Sequence, residues 1–241
     1  MPDSKPVIII GAGDHAKVLL DILLEQNVNV IGLTDKSISK GTCIYGVPVI
    51  GDDSEILKYK TDEIELVNGI GSVGNTSIRQ KVFSSLKEKG YVFRRVIHES
   101  SILSKRAKLG EGVQLLAGTI VNTDAEIGDN TIINTKTSID HGCVIGKYCH
   151  IAPGCTLSGC VTVGNGTHVG TGSVIIQGIT IGNNVLLGAG SVVVKDIEDN
   201  SKAYGVPAKM KIKNYTKEWG GGKLRFVSQK KRNCYAGGLY A

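Results

Sequence analysis

Residues Ile133 to Gly154 read INTKTSIDHGCVIGKYCHIAPG, and within them Ile133, Ile139, Ile145 and Ile151 recur at every sixth position. The same count runs outward through Leu109, Leu115, Val121 and Ile127 on one side. On the other it runs through Leu157, Val163, Val169, Ile175, Ile181, Leu187 and Val193, so fifteen consecutive sixth positions are aliphatic. A helix repeats every 3.6 residues and a strand every 2, so a strict period of six fits neither; it is the signature of a parallel β-helix. Each hexad is one flat side of a prism, three sides make a coil, and the run makes five coils, with Ile97 and Leu103 in phase upstream.

The phase sorts the remaining residues. The position after each aliphatic is often glycine or turn-prone (Gly110, Gly128, Gly146, Gly164), as a chain that bends once per hexad needs. Two positions before each aliphatic stand small or β-branched residues, among them Thr131, Thr137, Cys143, Cys149 and Cys155, which the alternation points inward. The three cysteines therefore read as core fillers, and their spacing resembles no zinc pattern, so no metal is expected. His141 lies two residues after Ile139 and His150 one before Ile151, which predicts that both face outward. Nine residues are half of an eighteen-residue coil, so the two rings are expected on different sides, meeting only across a subunit boundary.

The first ninety residues have another texture. PVIIIGAGDHAKVLLDILLEQ joins an apolar run, a glycine turn and a helical pattern, followed by the strand VNVIGLTDK, which makes a βαβ unit. Further alternation up to YVFRRVI predicts a small parallel α/β domain ending near Arg94. Gly11, Gly13 and Ala16 form G-x-G-x-x-A between strand and helix, with Asp35 about 20 residues on, a pattern that by itself proposes a nicotinamide dehydrogenase. The domain is only about half a two-lobed dinucleotide fold, and its turn carries His15 and Lys17. A basic pair beside glycines at a helix N-terminus suits the phosphates of a nucleotide or nucleotide sugar.

The 241 residues carry a formal charge of +6, but nine Lys or Arg and one acid lie from Lys209 onward, so the body before them is near neutral at −2. A basic extension on such a body reads as solvated chain, with no nucleic-acid partner expected. The N-terminus matches neither a secretory signal nor a membrane span, and the six cysteines read as reduced thiols, so a soluble cytoplasmic protein is expected. Three segments follow: 1–94 α/β, 95–208 β-helix, and 209–241 basic extension.

A small Rossmann-like domain, a hexapeptide solenoid and the closing phrase AYGVPAK (Ala203 to Lys209) together resemble the bacterial hexapeptide-repeat sugar acetyltransferases. That group includes sialic-acid O-acetyltransferases and nucleotide-aminosugar N-acetyltransferases. The resemblance implies a left-handed β-helix, a homotrimer with active sites between subunits, and acetyl-CoA as donor. It implies an acceptor that is a nucleotide-linked 4-amino-6-deoxy sugar of bacterial glycan biosynthesis. By the same resemblance His141 is the catalytic base, Asn134, seven residues before it, is a second catalytic residue, and Gly159 offers a backbone N–H to the acetyl oxygen. His150 touches the donor, whose pantetheine arm passes Gly170, Gly188 and Ala189. Gly11, Gly13, His15, Lys17, Asp35, Gly69 and Gly71 line the nucleotide-sugar pocket. One departure stands out: the N-acetyltransferases of the group commonly carry Asp or Glu directly after the base, and here that residue is Gly142, with Asp140 before it. This form suits an O-acetyltransferase of a sialic-type sugar, the alternative reading. A non-catalytic scaffold that binds a nucleotide sugar is the alternative from another class.

Overall fold

The computed structural model describes residues 5–211. The apolar run Val7–Ile10 is strand β1, buried over its whole length because helices cover both faces of its sheet. It pairs in parallel with β2 (Val30–Thr34) on one side and with Glu65–Asn68 on the other. A short strand β3 (Cys43–Ile44) turns at Tyr45 and Gly46, with φ of 49° and 84°, into β4 (Val47–Gly51), which extends the sheet beyond β2. With Glu65–Asn68 as β5, the order is β3-β4-β2-β1-β5.

Helix α1 (Asp14–Glu25) buries Ala16, Leu19, Leu20 and Leu23 on the sheet, the i, i+3, i+4, i+7 stripe of an amphipathic helix. It stops where Asn27 turns left-handed at φ 56°. Helix α2 (Ser77–Glu88) buries Arg79, Phe83 and Leu86 on the opposite side, where Ile8, Ile10, Leu66 and Phe93 complete the second core.

From Val96 the chain winds as a left-handed β-helix of two-residue strands. Strands this short carry too little twist to impose the right-handed crossover rule. Ile120 pairs with Ser138, Ile132 with His150 and Val144 with Thr162, each a step of eighteen residues. Three parallel sheets result. We call face one the sheet that starts at Val96–Ile97 and contains His150–Ile151, face two the sheet from Ile102–Leu103, and face three the sheet from Lys108–Leu109. Leu115, Ile133, Ile151, Val169 and Leu187 stack fully buried inside face one. After Ile181 the step shortens to sixteen residues, Leu187 pairing with Ala203, and Lys209–Met210 folds back antiparallel.

Two details go beyond the spacing. The small inward slot also supplies donors: the Thr131 hydroxyl donates to the Gly146 carbonyl at 2.8 Å, the Cys149 thiol to Gly164 at 3.1 Å and the Cys155 thiol to Gly170 at 3.2 Å. Burial pushes these thiols up, Cys149 to about 12 and Cys155 to about 11, so they stay protonated fillers. From Leu109 to Leu187 the turn itself falls three residues after the aliphatic, not one: Asp124, Asn130, Lys136, Tyr148 and Cys160 have φ between 53° and 60°, and Gly142 has 64°. The glycine directly after the aliphatic answers a different demand: a Cβ on Gly146 would lie 2.8 Å from the Asn165 nitrogen and 3.0 Å from the Gly164 carbonyl carbon in the next coil.

Face one packs beneath the α/β unit, and its outward column is Gln114, Ile132, His150, His168 and Leu186. Faces two and three keep exposed apolar residues, including Ile102, Ile120, Val144 and Val174. No helix among the described residues is long and apolar enough to cross a membrane. The basic extension beyond Lys211, with Cys234, lies outside the described residues.

Candidate active site

His141 occupies the exposed corner between faces two and three. Its own N–H is capped by the Asp140 carboxylate at 2.7 Å, which also accepts from the Asn122 side chain at 3.0 Å. Asp140 therefore fixes the backbone of His141 and leaves the ring free. The ring lies against the backbone of Gly159, one coil on: a Cβ there would stand 2.5 Å from Nε2. Cys160 N–H donates to the His141 carbonyl at 2.9 Å, which locks the two corners together, whereas the adjacent Gly159 N–H meets no acceptor among the described residues. An imidazole and an unused backbone donor thus stand side by side, the pair that acyl transfer needs as base and oxyanion contact.

His150 is placed differently from the expectation. It does leave the prism interior, but the α/β unit covers it, and only 7% of its surface is exposed. Its Nδ1 lies 2.8 Å from the Ser72 carbonyl and 3.0 Å from the Ser72 hydroxyl. A carbonyl only accepts, so Nδ1 carries the hydrogen and Nε2 is a bare acceptor. Nε2 receives the Asn134 side-chain N–H at 3.0 Å, and the orientation of that amide is set in turn by Thr135 N–H, which donates to its oxygen at 2.8 Å. Asn134, named with His141 among the catalytic residues, thus hydrogen-bonds His150. Burial, then the neighbouring His168, holds the His150 pKa down to about 3, and the ring is neutral. His168 meets it edge-on at 4.9 Å between centroids.

The basic pair at the glycine turn is likewise divided. His15 Nε2 hydrogen-bonds Gln114 of face one at 2.8 Å, and burial with the charge of Arg79 lowers its pKa to about 4, so it carries no charge near neutral pH. Lys17 stays at the surface, paired with Asp14 at 3.0 Å. Asp35 accepts from Ala12 N–H at 3.1 Å and from the Ser37 hydroxyl at 2.6 Å, and the Ser37 bond holds its carboxyl below the usual range. Gly11 has φ 88°, while Gly13 is the extended N-cap of α1. Gly69 lies tight beneath the helix, where a Cβ would come 2.7 Å from that of Ala16, and Gly71 faces His15.

Behind this turn lies a polar cluster that the sequence pattern did not reveal. Arg79, 1% exposed, donates to the carbonyls of Asn68 at 2.9 Å and Ile70 at 2.8 Å and to the Asn130 side chain at 2.8 Å. Burial lowers its pKa to about 9. Gln114 donates to the Asn68 carbonyl at 2.8 Å. A signal was available: along the outward column of face one Gln114, His150 and His168 recur at multiples of eighteen, and polar residues in register mark a face covered by something polar. Gly170, Gly188 and Ala189 stack on the corner after face one, where a Cβ on Gly170 would strike the Ala189 nitrogen at 2.5 Å. A cavity of about 370 Å³ opens between α1 and that same corner, lined by Asp14, Lys17, His98, Ala117 and Thr135.

The PglD N-terminal domain family matches residues 6–86, and the bacterial transferase hexapeptide family, six repeats, matches 124–159. A perosamine N-acetyltransferase from Caulobacter crescentus, solved as a histidine-to-asparagine variant in complex with CoA and GDP-perosamine, is 38% identical. The match covers 86% of this chain and 97% of that one, with a TM-score of 0.81. The chain belongs to the hexapeptide-repeat sugar acetyltransferases. The acetyltransferase domain of PglB from Neisseria gonorrhoeae, in complex with acetyl coenzyme A, is 29% identical over 87% of this chain and all of that one, with a TM-score of 0.80. A protein of Acanthamoeba polyphaga mimivirus is 31% identical over 123 residues, 51% of this chain and 24% of its own length, so the chain spans about a quarter of that relative.

Proposed function

We propose that the protein transfers the acetyl group of acetyl-CoA to the amino group of a nucleotide-linked 4-amino-6-deoxy sugar. The observation that carries this reading is the exposed His141 ring lying over Gly159, whose N–H is unused. The likeness to an N-acetyltransferase seen with CoA and GDP-perosamine supports the choice of donor and acceptor. The amine attacks the thioester carbonyl in its neutral form, His141 takes the proton that the nitrogen sheds as the C–N bond forms, and Gly159 N–H steadies the oxygen that becomes negative until the tetrahedral adduct collapses. The thiolate of CoA leaves. The pantetheine arm runs by Gly170, Gly188 and Ala189, and the nucleotide lies across Gly11, Gly13, Asp35 and Lys17, with the Gly69–Gly71 turn beside it.

The active form in this reading is a homotrimer, with each site completed by a neighbour. Support comes from the apolar residues exposed on faces two and three, which a monomer leaves wet. A cytoplasmic location belongs to the same proposal, since the donor is a metabolite of that compartment. The second reading, O-acetylation of a sialic-type sugar, is favoured by Gly142 and by Asp140 being spent on the backbone of His141, so that no carboxylate backs the ring.

The test is a turnover assay with acetyl-CoA against nucleotide-linked amino sugars and sialic acids. The parent protein is expected to acetylate an amine, and His141→Ala to lose about 10²- to 10⁴-fold in kcat with little change in either KM. Full activity in His141→Ala would end the mechanism, and activity confined to hydroxyl acceptors would transfer the assignment to the second reading.

A further inference from the structure

His150 has no free ring nitrogen. Its Nδ1–H is held by the Ser72 carbonyl at 2.8 Å, and its Nε2 is capped by Asn134 at 3.0 Å. Ser72 follows directly on the Gly69–Gly71 turn, and the same turn is gripped from behind by Arg79 through the carbonyls of Asn68 and Ile70. We infer that His150 is a positioning residue for the acceptor: it fixes the Gly69–Gly71 turn through Ser72, and Asn134 keeps its proton on the nitrogen that does so. The inference rests on the acceptor role proposed for that turn.

Three features favour this role over a contact with the acetyl group. A donor contact needs an N–H directed at the thioester oxygen, and the one N–H on this ring points into the α/β unit. The amide of Asn134 cannot rotate to free Nε2 without breaking its bond to Thr135 N–H, 2.8 Å long. His168 closes the remaining side of the ring, edge-on and itself 8% exposed. A plain packing role would not need the directed sequence from Thr135 N–H to the Asn134 oxygen, from the Asn134 N–H to Nε2, and from Nδ1–H to the Ser72 carbonyl.

Steady-state kinetics with acetyl-CoA and the amino-sugar acceptor, together with the ¹⁵N shifts of the His150 ring, test it. His150→Phe is expected to raise the acceptor KM about tenfold, the size of one lost hydrogen bond, with the acetyl-CoA KM within about twofold of the parent. His150→Asn offers a side-chain N–H near the place of Nδ1–H and is expected to recover most of the loss. Asn134→Asp accepts from Nε2, draws the proton off Nδ1 and turns a lone pair on the Ser72 carbonyl. It is expected to raise the acceptor KM as well, and to move the ring shifts from the Nδ1–H to the Nε2–H pattern. Asn134→Asp decides the matter if His150→Phe does not fold. An acetyl-CoA KM that rises while the acceptor KM stays put, or an Nε2–H ring in the parent, overturns the inference and leaves the functional proposal standing. A parent that acetylates no nucleotide amino sugar overturns both.

Discussion

Gly159 is a glycine because of what lies over it. Its φ is ordinary, and the constraint is the imidazole of His141, whose Nε2 would be 2.5 Å from an added Cβ. Gly159→Ala therefore sets a methyl group against an exposed ring that is free to swing outward, so the fold survives and the proposed base is displaced. The expected result is a fall in kcat of about 10²-fold, the cost of a misplaced catalytic group, with a melting temperature close to the parent. A crystal structure with the ring unmoved, or unchanged kcat, would show that the contact has no catalytic weight. The outward position of His141 was legible from spacing. The partner of Asn134 was not, because a side chain at a prism corner points along either of two faces, and only the packed structure selects one.

In the β-helix, each rung is two residues long and has no stability of its own; what holds it is the column of side chains that it shares with neighbouring rungs. Ile151 lies between Ile133 and Val169, all fully buried. Ile151→Asp puts a carboxylate with no partner into that column, and the protein is expected to be insoluble or unfolded, since such a charge costs several kcal/mol. Soluble, active protein carrying this change would refute the assigned phase. The elements themselves were readable to the residue, because one buried aliphatic per side repeats without interruption. The turns were less so: glycine directly after the aliphatic suggested the bend, whereas the left-handed residue sits two places later and is Asp124, Lys136 or Tyr148 in some coils and glycine in others.

At the scale of the whole molecule, the interface between the α/β unit and face one is built from neutral rings around one buried cation. His15 and His150 have folded-state pKa values of about 4 and about 3, and burial lowers that of His168 as well, against an ordinary value of 6.5. Their hydrogen-bond partners are Gln114, Ser72 and Asn134, and the charged group among them is Arg79. The unfolded chain takes up protons on these histidines below about pH 6.5, whereas in the folded one His15 and His150 do not until about pH 4 or lower. Stability is therefore full above pH 6.5 and declines as the pH falls through that window. Urea titrations at pH 7.5, 6 and 5 are expected to show a midpoint that drops at each step, with a shallower drop in His150→Phe. A midpoint unchanged from pH 7.5 to 5 would mean that the rings are not held neutral.

The order of residues alone determined the β-helix, its phase, the inward cysteines, the βαβ start and the exposed position of His141. All of these follow from local periodicity, in which each residue's environment is set by neighbours at fixed offsets of six and eighteen. Tertiary structure alone decided which segments cover face one and that His150 and His15 are neutral. It also decided that Asn134 serves His150 and that Arg79 lies behind the Gly69–Gly71 turn. Those facts depend on contacts between segments far apart in the chain, such as Ser72 with His150 and His15 with Gln114. No period links such segments, and the desolvation that sets their charge exists only once the two surfaces have met.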